Sequence, residues 1–289
     1  MESWTITRLL DWTTDFFKKY SIEWPHLEAE ILLAHALKLK RIELYTRHEQ
    51  VVNQDQLALF KGLIERRIKR EPIAYITGNQ PFMSIEFKVD KSVLIPRPET
   101  EQLVEIAIGI LGPATGDGRL ATVADIGTGS GAIAITLAKY LPDIKVIAID
   151  SSPAAIEVAQ KNAELNQVAK KINFMVGNLF EPLQSNLFDL ILSNPPYIPT
   201  LEIEKLDPDV RLWEPREALD GGEDGLKYVR TLIKSAPDYL NPGGCILIEI
   251  GFDQGEAVKL LAENSGNFSE IKIIRDINGK DRILKATRR

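Results

Sequence analysis

Asn194-Pro195-Pro196-Tyr197 brings together an amide, two backbone-fixing rings and an aromatic plane, directly after the apolar run 188–192. Adjacent prolines support neither helix nor ladder pairing, so the chain must leave a sheet there. That places the four residues at the carboxyl end of a strand, where open α/β sheets bind ligands. A planar, delocalised NH2 group, such as an exocyclic amine or a carboxamide, is a poor nucleophile. Two acceptors on its two hydrogens can orient it and let it pyramidalise. The side-chain oxygen of Asn194 and the backbone carbonyl of Pro195 can be those acceptors, the proline ring fixing the carbonyl's direction. Tyr197 can pack against the planar group and limit its rotation. This is catalysis by proximity and orientation, which contributes up to roughly 7–11 kcal/mol in well-arranged systems. It needs no general base before the bond forms, and no His or Cys dyad accompanies these residues.

A second constellation lies upstream. Val123-Ala124-Asp125-Ile126-Gly127-Thr128-Gly129-Ser130-Gly131-Ala132 reads as a strand, a glycine loop and a helix start. Glycine allows the sharp turn and lets backbone approach a ligand closely. The next strand ends in Asp150, 19 residues past Gly131, where an acid can accept both ribose hydroxyls of an adenosine. The loop alone fits a dinucleotide or S-adenosylmethionine, since Gly127, Gly129 and Ala132 satisfy the looser dinucleotide pattern. An antiparallel closing hairpin like that of Rossmann-like methyltransferases, and the Asn-Pro-Pro-Tyr loop after the fourth strand, favour S-adenosylmethionine. Methyl transfer from a sulfonium is an in-line displacement whose acceptor nitrogen needs an aimed lone pair. Two acceptor classes match: the amine of adenine or cytosine in nucleic acid, and the carboxamide of glutamine. A flipped base calls for a basic, often aromatic-lined track. The acidic balance and the acids Glu202, Glu204, Asp207 and Asp209 after Pro199 argue for a protein substrate.

The elements that must position these residues alternate from 121 onward: strands at 122–126, 145–150, 172–176, 189–193, 245–250 and 270–276, with helices at 132–141, 153–165, 226–240 and 253–263. Asn278-Gly279 turns the chain into a last, antiparallel strand at 282–286. The pattern predicts a doubly wound, mostly parallel α/β sheet. Residues 1–75 read as helical, with Ile6, Leu9, Leu10, Phe16, Phe17 and Tyr20 as one apolar stripe. Pro25 opens a second helix that buries Leu27, Ile31, Leu33, Ala34 and Leu37. A further helix carries Leu57, Phe60, Ile64 and Ile68 and stops before Pro72. Its other face, with Lys61, Arg66, Arg67, Lys69 and Arg70, reads either as solvated or as a docking surface for an acidic partner. Period-two alternation at Ile85, Phe87 and Val89, followed by Val93-Leu94-Ile95, predicts a hairpin between two domains. It delivers Pro96-Arg97-Pro98-Glu99-Thr100-Glu101 into a helix reaching about residue 111.

The chain has 289 residues, net charge −6 and pI about 5.3, enough length for two domains and no broad basic face for nucleic acid. One cysteine excludes an internal disulfide framework, and the three histidines share no metal-ligand spacing. No apolar h-region or long apolar run is visible, so a cytoplasmic protein with no membrane partner is expected.

With these motifs in place the chain resembles the HemK/PrmC family, which methylates the glutamine of the Gly-Gly-Gln loop in bacterial-type peptide release factors. The likeness runs nearly end to end. It covers Arg70-Glu71-Pro72-Ile73-Ala74-Tyr75-Ile76-Thr77-Gly78, Leu94-Ile95-Pro96-Arg97-Pro98-Glu99-Thr100-Glu101, the Asp125 to Gly131 loop and Asn194 to Tyr197. Glu214-Pro215 and Gly221-Gly222-Glu223-Asp224-Gly225 continue it. The resemblance implies a Rossmann-like fold with a seven-stranded, mostly parallel sheet whose last strand is antiparallel. It implies a helical substrate-recognition domain at 1–75, a hairpin linker at 76–98 and a methyltransferase domain at 99–289. S-adenosylmethionine, leaving as S-adenosylhomocysteine, would be held by Gly127, Thr128, Gly129, Ser130, Gly131, Asp150, Leu179 and Asn194. The glutamine amide would lie against Asn194, Pro195, Pro196 and Tyr197, with Asn194, Pro195 and Tyr197 catalytic and Arg97 and Glu99 lining the site. Class I release factors would be the partners, with no direct nucleic-acid contact. A ribosomal-protein glutamine, or a base amine of DNA or RNA, is the alternative acceptor. Two positions depart from the family: Asn178 where Asp usually precedes Leu-Phe, and Ser84 where the hairpin usually has glycine.

Overall fold

The computed structural model describes residues 4–112, 120–184 and 186–289. Residues 1–3 of the expected helical domain, and 113–119 and 185 of the expected methyltransferase domain, lie outside the described residues. The chain forms two compact units. One comprises Met1–Gly78 with Asp207–Trp213, and the other Asn79–Leu206 with Glu214–Arg289. The expected boundary at 75 therefore moves, because it falls inside a short helix, Ile73–Thr77, that Gly78 closes in the left-handed conformation. The return of 207–213 to the helical unit was not foreseen.

In the first unit, helices Ile6–Lys19, Pro25–Leu37 and Gln54–Arg67 enclose Ile6, Phe17, Leu32, Leu33 and Phe60. Asn53 and Gln56 exchange side-chain bonds with each other's backbone N–H and start the third of these. Three expectations change here. Tyr20 leaves the core stripe, while Phe16 stays partly buried against the core and stands between Trp12 and Tyr20 in a ring ladder, successive centroids 4.9 Å apart. On the second helix Leu27 is exposed, while Glu28 and Glu30 are buried because Arg67 and Arg41 pair with them. Only part of the basic face is solvated: Lys61 and Lys69 are exposed, while its three arginines pair within the chain. Arg67 is buried, 2.5 Å from Glu28 and 2.7 Å from Asp209; Arg70 reaches Asp207 at 2.9 Å, and Arg66 holds Glu71. Farther along, Glu202 pairs with Lys205 and Glu204 with Arg216. The charge of the acidic loop is thus satisfied inside the chain and gives no argument for a protein substrate.

The second unit begins with a hairpin, β1 (Asn79–Phe82) and β2 (Ile85–Lys88), so Val93-Leu94-Ile95 is not its partner strand. The turn is Met83-Ser84, both at positive φ, +49° and +59°. This conformation costs a side chain about 1–2 kcal/mol, and nothing in Met-Ser signals it. Strands β3 (Ala121–Ile126), β4 (Ile144–Asp150), β5 (Ile172–Val176), β6 (Phe188–Ser193), β7 (Leu240–Glu249), β8 (Phe268–Arg275) and β9 (Asp281–Arg288) follow. Among the described residues they make one sheet of order β5-β4-β3-β6-β7-β9-β8. Pairing is parallel from β5 to β7, and β9 runs antiparallel to both its neighbours. Alternate strand residues face two cores, Val123, Val146 and Leu190 in one, Ala124, Ile191 and Ile246 in the other. The chain builds outward from β3 through β4 to β5, then crosses back to place β6 against β3. The crevice of this reversal lies beyond their carboxyl ends. No helix of the described residues is long and apolar enough to cross a membrane.

Candidate active site

The glycine loop leaves β3 with Gly127, Gly129 and Gly131 at φ +77°, +55° and +83°. A Cβ on Gly127 or Gly129 would meet nothing within 4 Å, whereas one on Gly131 would stand 2.7 Å from Ile135 and 3.2 Å from Ala159. The first two glycines therefore border open space and the third seats the following helix. Asp125 at the end of β3 is fully buried and binds the Thr128 hydroxyl at 2.6 Å and the Ala134 N–H at 3.1 Å. Burial raises its carboxyl to about 7 despite those bonds. Asp150 accepts the Gly129 N–H at 2.8 Å on one oxygen and the Ser152 N–H at 2.9 Å on the other. Its pKa is also raised, burial outweighing the backbone donors.

Asn194 follows β6 directly, and Ser193 ties that strand end to β3 by donating to the Ile126 carbonyl at 2.7 Å. The backbone beyond it is clamped. Ile198 N–H donates to Leu219 O, Gly221 N–H to Ile198 O, and Thr200 N–H to Gly222 O. Gln254 Nε2 donates to the Tyr197 carbonyl at 2.9 Å. A Cβ on Gly221 would sit 2.8 Å from both Pro196 O and Tyr197 Cα, which gives the Gly221-Gly222 pair its physical reason.

Behind the loop stands a chain of polar side chains. Asn194 Nδ2 donates to Thr100 Oγ1 at 3.0 Å, Thr100 donates to Glu249 Oε2 at 2.8 Å, and Tyr197 donates to Glu249 Oε1 at 3.4 Å. Asn194 Oδ1 and the Pro195 carbonyl take no hydrogen bond among the described residues. Arg97 is held by Glu214, their atoms 2.5 Å apart.

A cleft of about 270 Å³ opens between these two loops. Gly127, Thr128, Gly129, Ser130, Asp150, Leu179, Asn194, Pro195 and Pro196 line it, as does Arg97. Three expected residues do not. Gly131 lies behind the loop, against Ala159. Tyr197 is half-buried with its hydroxyl turned to Glu249 and is not among the residues that line the cleft. Glu99 is outside the lining as well. Asn178 does line the cleft; its Nδ2 donates to Glu181 at 3.0 Å, which leaves the side-chain oxygen as acceptor. Thr100, Glu249 and Gln254 were missed. Glu249 carried a usable signal, an acid inside the apolar run 246–250.

Comparison with known proteins adds three findings. Residues 8–78 match the PrmC N-terminal domain, and residues 113–206 the methyltransferase small domain. The release factor glutamine methyltransferase of Geobacter sulfurreducens is 46% identical over 98% of this chain and 96% of its own length. That of Rhodopirellula baltica is 44% identical over 97% and 95%. A methyltransferase structure from Pyrococcus furiosus superimposes with a TM-score of 0.52 at 19% identity, over 71% of this chain and 90% of that one, and shares the fold. With near-complete, mutual coverage at that identity, the chain belongs to the release factor glutamine methyltransferase family.

Proposed function

We propose that this protein transfers a methyl group from S-adenosylmethionine to the side-chain amide nitrogen, N5, of the glutamine in the Gly-Gly-Gln loop of class I peptide chain release factors. The observation that carries the reading is the state of two acceptors at one edge of the cleft. Asn194 spends its Nδ2 on Thr100, so Oδ1 is the atom left to accept, and the neighbouring Pro195 carbonyl is also unpaired among the described residues. Two acceptors side by side suit the two hydrogens of a carboxamide. A base amine would satisfy the same pair, and the relatives' printed activity directs the choice to glutamine.

The cleft suits the methyl donor. Gly127 and Gly129 border the open space that a nucleoside needs, and Asp150, which lines the cleft beside them, would accept from the ribose hydroxyls. Asn178 Oδ1 and Leu179 would meet the adenine. S-adenosylmethionine supplies an electrophilic methyl on a cationic sulfur. Asn194 Oδ1 and Pro195 O accept the glutamine NH2 hydrogens, hold the nitrogen still and favour a pyramidal lone pair. The methylated nitrogen sheds its extra proton afterwards, so no base is needed in the displacement itself.

The test incubates labelled S-adenosylmethionine with intact release factor, a ribosomal protein and polynucleotide in parallel, with peptide mapping. Label should land on the Gly-Gly-Gln glutamine; label on ribosomal protein or nucleic acid alone would overturn the assignment. Asn194→Ala should lower kcat by roughly 100-fold or more, the scale of one lost group that is oriented on the reacting centre, with cofactor Kd changed only a few-fold.

A further inference from the structure

Glu249 closes β7 directly after the apolar run 245–248, is 1% exposed, and has no part in the transfer described above. Both its oxygens are engaged, one by Thr100 and one by Tyr197. An ionised carboxylate is only an acceptor, so the single proton of the Thr100 hydroxyl is committed to Glu249. What Oγ1 then offers Asn194 is a lone pair, and an amide facing a lone pair must present its NH2. The two ends of a carboxamide are nearly the same shape, so packing alone does not choose between them. In the reversed orientation Asn194 would set a donor against the donor hydrogens of the substrate amide.

We propose that Glu249, acting through the hydroxyl of Thr100, is the positioning residue that selects the productive orientation of the Asn194 side-chain amide. The inference rests on the reading of Asn194 Oδ1 as a substrate acceptor. It also carries a condition on protonation. Protonated Glu249 can donate to Thr100 Oγ1, which frees the threonine proton to point at Asn194 and turns the whole chain around. The groups facing Glu249 set where this happens. Burial raises its carboxyl to about 7; the Thr100 hydroxyl, the Arg282 guanidinium and the Tyr197 hydroxyl pull down, and Glu99 pushes up.

The experiment measures kcat on intact release factor from pH 5.5 to 9, and S-adenosylmethionine Kd by calorimetry. The proteins are wild type, Thr100→Val, Thr100→Ser, Glu249→Gln and Asn194→Ala. Thr100→Val keeps the shape and loses the lone pair; kcat should fall about tenfold with Kd within about twofold, a split expected when one oriented hydrogen bond is lost. Thr100→Ser, which keeps the hydroxyl, should recover most of the rate. Wild type should lose rate below about pH 7, and Glu249→Gln, which has no carboxyl to protonate, should show no such acid limb. An impaired Asn194→Ala beside a fully active Thr100→Val would overturn the inference and leave the reading of Asn194 standing. The same holds if the acid limb survives in Glu249→Gln. A fully active Asn194→Ala would overturn both.

Discussion

Gly129 and Gly131 lie two residues apart in the same loop with similar positive φ, +55° and +83°, yet substitution should damage them in different ways. At either position alanine must adopt the left-handed region, at roughly 1–2 kcal/mol. At 129 that is the whole intramolecular cost, since the new Cβ would meet nothing within 4 Å. At 131 the Cβ would come 2.7 Å from Ile135 Cδ1 and 3.2 Å from Ala159 Cβ, inside a packed helix seat. Overpacking of this kind adds about 1–3 kcal/mol, so Gly131→Ala should lose roughly 2–5 kcal/mol. For ligand binding the order reverses. The Cβ of Gly129→Ala projects into the space bordering the cleft, and S-adenosylmethionine affinity should drop at least about tenfold, or 1.4 kcal/mol. Gly131→Ala lies off the cleft wall and should bind within a few-fold of wild type in its folded fraction. Chemical denaturation followed by circular dichroism and calorimetric titration of S-adenosylmethionine read the two effects separately. If Gly129→Ala proves as unstable as Gly131→Ala and binds the cofactor normally, the assignment of one glycine to the cleft and the other to packing is wrong.

Two further outcomes follow from the buried charges. Because burial raises Glu249 from 4.5 to about 7, the folded chain holds a proton there that the unfolded chain has released. Stability is therefore lost as pH rises between those values, by on the order of 3 kcal/mol. Glu249→Gln removes that loss, so the variant should gain on wild type by about that much from pH 4.5 to 8 in denaturation experiments; a pH-independent difference would refute it. Arg67 is 3% exposed between Glu28 and Asp209, and Arg67→Met strands a buried carboxylate at a cost of about 3–5 kcal/mol. Adding Glu28→Gln should restore part of that stability, and a double variant no more stable than Arg67→Met would show that the pair is not what matters.

What could be read from the sequence was what a single residue type dictates locally. Gly127 to Gly131, Asp150 and the two prolines announced a turn, a strand end and a chain exit because few other residues take those backbone conformations. The alternation of strands and helices placed the sheet for the same reason. Partnerships over long separations were invisible. Thr100 and Glu249 stand 149 residues apart, and Arg67 looked like a solvated charge until Glu28 and Asp209 closed on it. The hairpin failed differently. Alternation at 85–89 is real, but its turn, Met83-Ser84, carries no turn chemistry, so the pattern points forward to Val93-Leu94-Ile95 instead of back to Asn79–Phe82.

One physical rule joins the legible and the hidden parts of the site. Each acceptor assigned to a ligand has a donor or a steric stop behind it. Gly129 and Ser152 N–H groups fix the two oxygens of Asp150. Thr100 takes the NH2 of Asn194 and leaves Oδ1 outward. Next to the Pro195 carbonyl the backbone is clamped, at the Tyr197 carbonyl by Gln254 and at Pro196 by the close approach of Gly221. Catalysis that lacks a base must come from groups that do not move when the substrate arrives. A buried acid such as Glu249 fits that demand, despite what its ionisation costs the fold, because it is an acceptor that can settle which end of an amide faces which way.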